Sequence, residues 1–288
     1  MTAKHDYWLP GGPVGVLLVH GLTGTPQEMR GVARAFNQAG YTVYVPQLAG
    51  HCGTPEDLVN SGWRDWYQSV ITGAEALSAR VDRLFIGGLS MGAVLALNYA
   101  ADYPQRVSGV LVYSITLRYD GWSIPVLSRL ASRWLLPFTG WLRLGRKRIF
   151  YETPPYGIRN EVLRRKIAAK MFSGDSVAAG LPGNPWPALN EMSRLSRHLR
   201  RHLYRVTAPC LILHAAEDDI SHRRNAEWVR DRVSGPAELV LLANSYHMIT
   251  IDNDRSEVFR RSTDFVRQQS APPLQPDCRW ISQTGGAG

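Results

Sequence analysis

The stretch from Asp82 to Pro104, DRLFIGGLSMGAVLALNYAADYP, restricts the fold of this chain more than any other. Its first residues, Asp82 to Gly87, have the composition of a short buried strand. Gly88-Leu89-Ser90-Met91-Gly92 comes next, followed by small and apolar residues that read as a helix ending before Pro104. Strand, sharp turn and helix around G-x-S-x-G is the setting that lifts a serine hydroxyl onto a strained turn. Glycine is needed two residues to either side of Ser90, because a Cβ there would collide with the neighbouring strand or helix. The helix after Ser90 aims its positive amino end at the place where negative charge develops. Ser90 is therefore the candidate nucleophile.

The flanking chain alternates strands and helices. Val14–His20 (VGVLLVH) is a continuous apolar run, as expected of a strand buried on both faces. A helix is predicted from Pro26 to Gln38 and closed by Gly40, then a strand at Tyr41–Pro46, a helix at Trp63–Ala79 and a strand at Val107–Tyr113. At Ser114 the rhythm stops, and it resumes with Pro209–His214, a helix at His222–Val233, the strand Ala237–Leu242 and a helix at Asp254–Arg267. This order implies a mostly parallel α/β sheet flanked by helices. Residues 1–114 and 206–270 are expected to form the core, and residues 115–205 a Trp-rich helical cap without convincing strands. Periodicity is lost from Gln268, and residues 271–288 read as a mobile tail in which Trp280 could anchor.

Charge separates the same segments. The formal net of +9 is uneven: residues 115–205 carry a net of about +12, and the remainder about −3. Three scattered cysteines, Cys52, Cys210 and Cys278, suit reduced thiols in a cytoplasm rather than a disulfide frame. There is no window long enough for a membrane span and no secretory leader pattern. No HExxH, Walker sequence or helix-opening GxGxxG occurs, so neither a metal nor a nucleotide cofactor is expected. Glu28, Asp65 and Glu75 fall on predicted helix faces and read as solvated charges.

A nucleophilic serine needs a base and a carboxylate to orient it, both beyond the carboxyl ends of later strands. Glu217-Asp218-Asp219 follows the strand PCLILH, and His247 follows AELVLL in NSYHMI. The order Ser, Asp, His suits this topology. His20, His51 and His214 read as structural. The oxyanion hole is expected to use the backbone N–H groups of Leu22 and Met91, leaving both side chains free to line an acyl pocket.

These residues carry a family resemblance. The segments LLVHGLTGTP, GHCGTPEDL with GWRDWYQSV, GLSMGAVLAL, LILHAAEDDI and NSYHMITID resemble the α/β-hydrolases, in particular the bacterial carboxylesterase and monoacylglycerol-lipase-like branch. The resemblance implies Ser90 as nucleophile, His247 as general base and acid, and Asp218 as the orienting carboxylate, with Asp219 the alternative. It further implies hydrolysis of short or medium acyl esters or monoacylglycerols through an acyl-enzyme. A lysophospholipase or acyltransferase acting on a charged lipid is a second reading, and a non-catalytic binding protein of the same fold a third. Trp122, Ile124, Val126, Leu127, Leu130, Trp134, Leu135, Phe138, Trp141 and Leu142 would face an acyl chain or the core, and Arg143–Arg148 the solvent. The stretch from Trp122 to Arg148 has the composition of an anionic-membrane contact; no nucleic-acid partner is expected.

Overall fold

Apolar runs and amphipathic stretches assemble, in the computed structural model, into a three-layer α/β arrangement; the structure describes residues 5–125, 145, 147–173 and 176–271. The strands are β1 (Tyr7–Leu9), β2 (Gly12–Val19), β3 (Tyr41–Val45), β4 (Arg83–Leu89), β5 (Gly109–Tyr113), β6 (Ile149–Tyr151), β7 (Gly183–Pro185), β8 (Cys210–Ala215) and β9 (Ala237–Leu242). The helices are α1 (Arg30–Gln38), α2 (Pro55–Val59), α3 (Trp63–Ser78), α4 (Met91–Asp102), α5 (Glu161–Phe172), α6 (Ser176–Ala179), α7 (Trp186–His202), α8 (Arg224–Arg230) and α9 (Arg255–Ser270). Seven strands form one sheet in the order β1-β3-β2-β4-β5-β8-β9. Only β1 runs antiparallel, pairing Tyr7 with Val45; the other pairings in this sheet are parallel.

The period of two along each strand divides the core. Leu17 and Val19 of β2 join Trp66, Val70 and Leu77 of α3 and the inner side of α4. Val16 and Leu18 face the opposite side, with Val32 and Phe36 of α1 and Val258 and Phe265 of α9. Helix α4 is buried along almost its whole length, which its Gly, Ala, Val and Leu content permits. It leaves the end of β4 directly, between the central strands β2 and β5.

Several expectations need correction. The helix from Pro26 is two pieces, a 3-10 turn at Pro26–Met29 and then α1. The last helix continues past Arg267 to Ser270. The insertion contains strands after all: β6 and β7 pair antiparallel, with Phe150 opposite Asn184. Each is three residues long, too short for a period to show. The tail with Trp280, and residues 126–144 with their Trp, Leu and Phe, lie outside the described residues.

Candidate active site

The elbow owes its shape to two glycines. A Cβ on Gly88 would strike the backbone of Gly92, and one on Gly92 would strike the Val19 carbonyl of β2. Helix α4 therefore seats against the sheet with no side chain between. Ser90 takes up the strain at φ 57° and ψ −112°, a backbone region costly for a residue with a Cβ. Its hydroxyl emerges at the carboxyl edge of β4 and hydrogen-bonds Thr116 Oγ1 at 3.0 Å. No residue-type signal in the sequence singled out Thr116.

The turn after β8 delivers Asp218 and the turn after β9 delivers His247. Asp218 Oδ2 lies 2.8 Å from His247 Nδ1 and Oδ1 lies 3.0 Å from it. The Ile220 and Ser221 N–H groups donate to Asp218 Oδ1, fixing its plane. Burial disfavours the Asp218 charge, but His247, His214 and the Ser221 N–H outweigh it and hold the carboxyl below its ordinary range. For His247 burial opposes protonation, yet Asp218, then Asp219 and Glu152, raise its proton affinity above that of an ordinary histidine. Asp219 does other work: it accepts from the Gly157 N–H at 3.0 Å and the His247 N–H at 3.3 Å, tying the insertion to the histidine loop. Met248 N–H donates to the Gly157 carbonyl at 2.8 Å in the same tie.

Leu22 lies in the loop after β2 and Met91 follows Ser90 in the first turn of α4, where N–H groups have no intrahelical acceptor. Leu22 is among the residues lining the cavity, but Met91 is not, and its side chain is wholly buried in the core on the α3–α4 side. The expectation that both side chains reach the pocket is thus corrected for Met91. His20 braces this loop: its Nε2 accepts from the Leu48 N–H and its Nδ1 bonds the Gly21 carbonyl. Burial drives its proton affinity down to about 3, so the ring is neutral. The insertion reaches the loop as well, through Leu181 N–H to the Thr23 carbonyl at 3.0 Å.

A family model described as serine aminopeptidase, S33 (Hydrolase_4) matches residues 14–254. The chain belongs to this family. This S33 hydrolase is 31% identical over 271 residues to the thermostable monoacylglycerol lipase of Bacillus sp. (strain H-257), covering 94% of this chain and 97% of that one. It is 24% identical over 276 residues to a carboxylesterase of Bacillus subtilis (strain 168), covering 93% and 98%. Among solved structures, one from the metagenome-derived lipolytic enzymes LipS and LipT superposes with a TM-score of 0.76 at 29% identity, covering 91% of this chain and 97% of that one. The α/β-hydrolase fold extends to a monoglyceride lipase of Saccharomyces cerevisiae, with a TM-score of 0.76 at 16% identity over 93% and 92% of the two chains.

Ser90 and His247 of the S33 hydrolase open onto one cavity of about 250 Å³. Its walls are largely apolar, with Ile124, Ile158, Ile167, Met171, Leu181 and Trp186 contributed by the insertion. Two carboxyl groups interrupt them. Glu28, expected on a solvated helix face, is folded instead beneath the loop Gly21–Gly24 by the 3-10 turn, and its Oε2 accepts the Gly21 N–H at 3.2 Å. Burial, against the pull of the Gly21 N–H, pushes its carboxyl up to about 7. Glu152, just after β6, accepts from Asn184 Nδ2 at 3.1 Å and is likewise raised by burial. Asp65 caps Gly62 N–H at 2.8 Å and Glu75 is exposed, so both remain surface groups. Cys52 and Cys210 are free thiols, each pushed up to about 12 by burial. Among the described residues, no His, Cys, Asp or Glu cluster suits a metal and no helix is long and apolar enough to cross a membrane.

Proposed function

We propose that this protein hydrolyses carboxylic esters through an acyl-enzyme, with Ser90, His247 and Asp218 as the triad. The observation that carries the reading is the Asp218–His247 contact at 2.8 Å beside the strained serine, on a largely apolar cavity. In the reaction Ser90 Oγ exchanges Thr116 for His247 Nε2, gives up its proton to that nitrogen and attacks the ester carbonyl. Asp218 stabilises the imidazolium that forms. The oxyanion rests on the Leu22 and Met91 N–H groups, each such donor contributing about 2.7–4 kcal/mol to the transition state. The imidazolium then protonates the leaving alcohol, and a water activated by the same ring releases the acid.

Short to medium acyl esters or monoacylglycerols fit best. The apolar wall accepts an acyl chain, and Glu28, Glu152 and Asn184 give the same cavity a hydrogen-bonding patch for the alcohol. The similarity to a monoacylglycerol lipase over 94% of the chain supports ester over peptide substrates, although the family description names an aminopeptidase. The insertion, as the cap over Ser90, sets chain length. p-Nitrophenyl esters from acetyl to palmitoyl, with an aminoacyl anilide as control, test this in wild type and Ser90→Ala. The expected result is an optimum at one chain length, little anilide cleavage, and a fall in kcat of about 10⁶ in the variant. Faster cleavage of the anilide would overturn the ester reading.

One observation favours a peripheral location on an anionic membrane. Outside the catalytic cavity, Arg64, Arg194, Arg197, His198 and Arg201 line a groove of about 200 Å³. Arg194 is paired with Glu191 at 2.6 Å and Arg64 stacks over Trp63, leaving the groove strongly cationic. Co-sedimentation with phosphatidylglycerol vesicles, but not with phosphatidylcholine vesicles, is the expected result; equal recovery with both would reject the contact.

A further inference from the structure

The catalytic cavity is one-sided in charge. None of the described residues lining it is Lys or Arg, while Glu28 and Glu152 both open onto it. The other two nearby carboxylates are committed: Asp218 to His247 and the Ile220 and Ser221 N–H groups, Asp219 to the Gly157 and His247 N–H groups. Glu28 and Glu152 are not. A carboxylate offers about four acceptor positions; the Gly21 and Thr25 N–H groups engage Glu28 and Asn184 Nδ2 engages Glu152, which leaves positions open on both. Neither has an ion-pair partner among the described residues, and they disfavour each other's charge. The groups facing them are the His247 ring, the Asp219 carboxylate, the Tyr119 phenol and the Cys52 thiol. The ring is the one group among these that can be cationic, and it is already held by Asp218.

We propose that this cavity selects substrates by charge: Glu28 and Glu152 admit esters whose alcohol is neutral or cationic and exclude those carrying phosphate or carboxylate. A cationic alcohol gains both carboxylates as partners. An anionic one must shed its water and meet like charge, with no guanidinium or ammonium among the described lining residues to receive it. The inference rests on the ester-hydrolase reading for the nature of the ligand. It sets aside a lysophospholipase acting on an anionic headgroup, even though the outer surface is basic.

The test is equilibrium binding, which needs no turnover, of three decyl amphiphiles below their micelle concentrations: decyltrimethylammonium, 1-O-decylglycerol and decyl phosphate. At about pH 9, where both glutamates are more fully ionised, the ammonium should bind about tenfold or more tightly than the phosphate. The margin should shrink at about pH 6 by more than it does in Glu28→Gln/Glu152→Gln, since decyl phosphate also takes up a proton there whereas only the wild type has carboxyls to protonate. In that double variant, whose amide oxygens still accept from Gly21 and Asn184, the margin should fall to within about threefold at both pH values. Each single variant should lose part of the margin, so poor folding of the double variant does not decide the matter. Decyl phosphate binding as tightly as the ammonium at high pH, or a margin unchanged in all variants, overturns the proposal. If no ester is cleaved yet the margin appears and depends on the glutamates, the esterase reading fails and the charge selection stands.

Discussion

The imidazole of His247 sits among more negative charge than one partner supplies, and this sets the acid limb of activity. In the mechanism proposed above it must be neutral to take the Ser90 proton, and Asp218, Asp219 and Glu152 all hold its proton on. Removing one of them therefore lowers its pKa. Glu152→Gln should move the acid limb of kcat/KM to lower pH, measured on a neutral ester; an unmoved limb would place Glu152 too far away to matter. Asp218→Asn should lower kcat by about 10⁴, and Asp219→Asn far less, because Asp219 touches backbone rather than the ring. Glu28 adds a stability effect of definite sign. The folded state raises its pKa to about 7, so the stability that it contributes is full below the ordinary glutamate range and is lost as pH rises through about 7. Glu28→Gln should thus reduce the fall in Tm between mildly acid and mildly alkaline buffer. The turn after β8 was legible as the place of a carboxylate, but with Glu217, Asp218 and Asp219 in a row only the family resemblance favours Asp218, with Asp219 the alternative. Glu28 was not legible, because helical periodicity places it outward, whereas a 3-10 turn starting at Pro26 rotates it under the loop.

At the scale of elements, the long runs were readable and the short ones were not. Strands β2, β4, β5 and β8, buried on both faces, announce themselves as apolar runs between glycines, prolines and polar turns. Strands β6 and β7 are built from IFY and GNP, and only their mutual pairing makes them strands. The elbow shows how strongly one contact can dictate residue choice. Gly92→Ala puts a methyl group against the Val19 carbonyl, a backbone atom that cannot step aside without moving β2. Overpacking of this kind costs about 1–3 kcal/mol. Denaturant unfolding should show at least that loss, together with lower activity from a displaced Ser90; a fully stable variant would mean that α4 can slide.

For the whole molecule, the uneven charge in the sequence becomes a spatial separation. Arg194, Arg197 and Arg201 of α7 line an outer groove with Arg64, while carboxylates collect inside around His247. Composition alone reveals the excess but not its place: it points to residues 122–148, most of which lie outside the described residues, and not to α7. Attachment through several arginines should weaken steeply as ionic strength rises, since the Debye length falls from about 10 Å at 0.1 M to about 3 Å at 1 M. Vesicle recovery that ignores salt would point to apolar contact instead.

Leu181 N–H holds the Thr23 carbonyl beside the oxyanion loop, and Gly157 is bonded to Asp219 and Met248 beside the histidine. The same segment of chain is thereby moored to both halves of the reacting centre. Whatever swings it aside to widen the entrance must slacken one mooring or the other. The position of the insertion and the set of the two loops beside Ser90 and His247 are therefore one geometric unit, and a change in one is felt by the other.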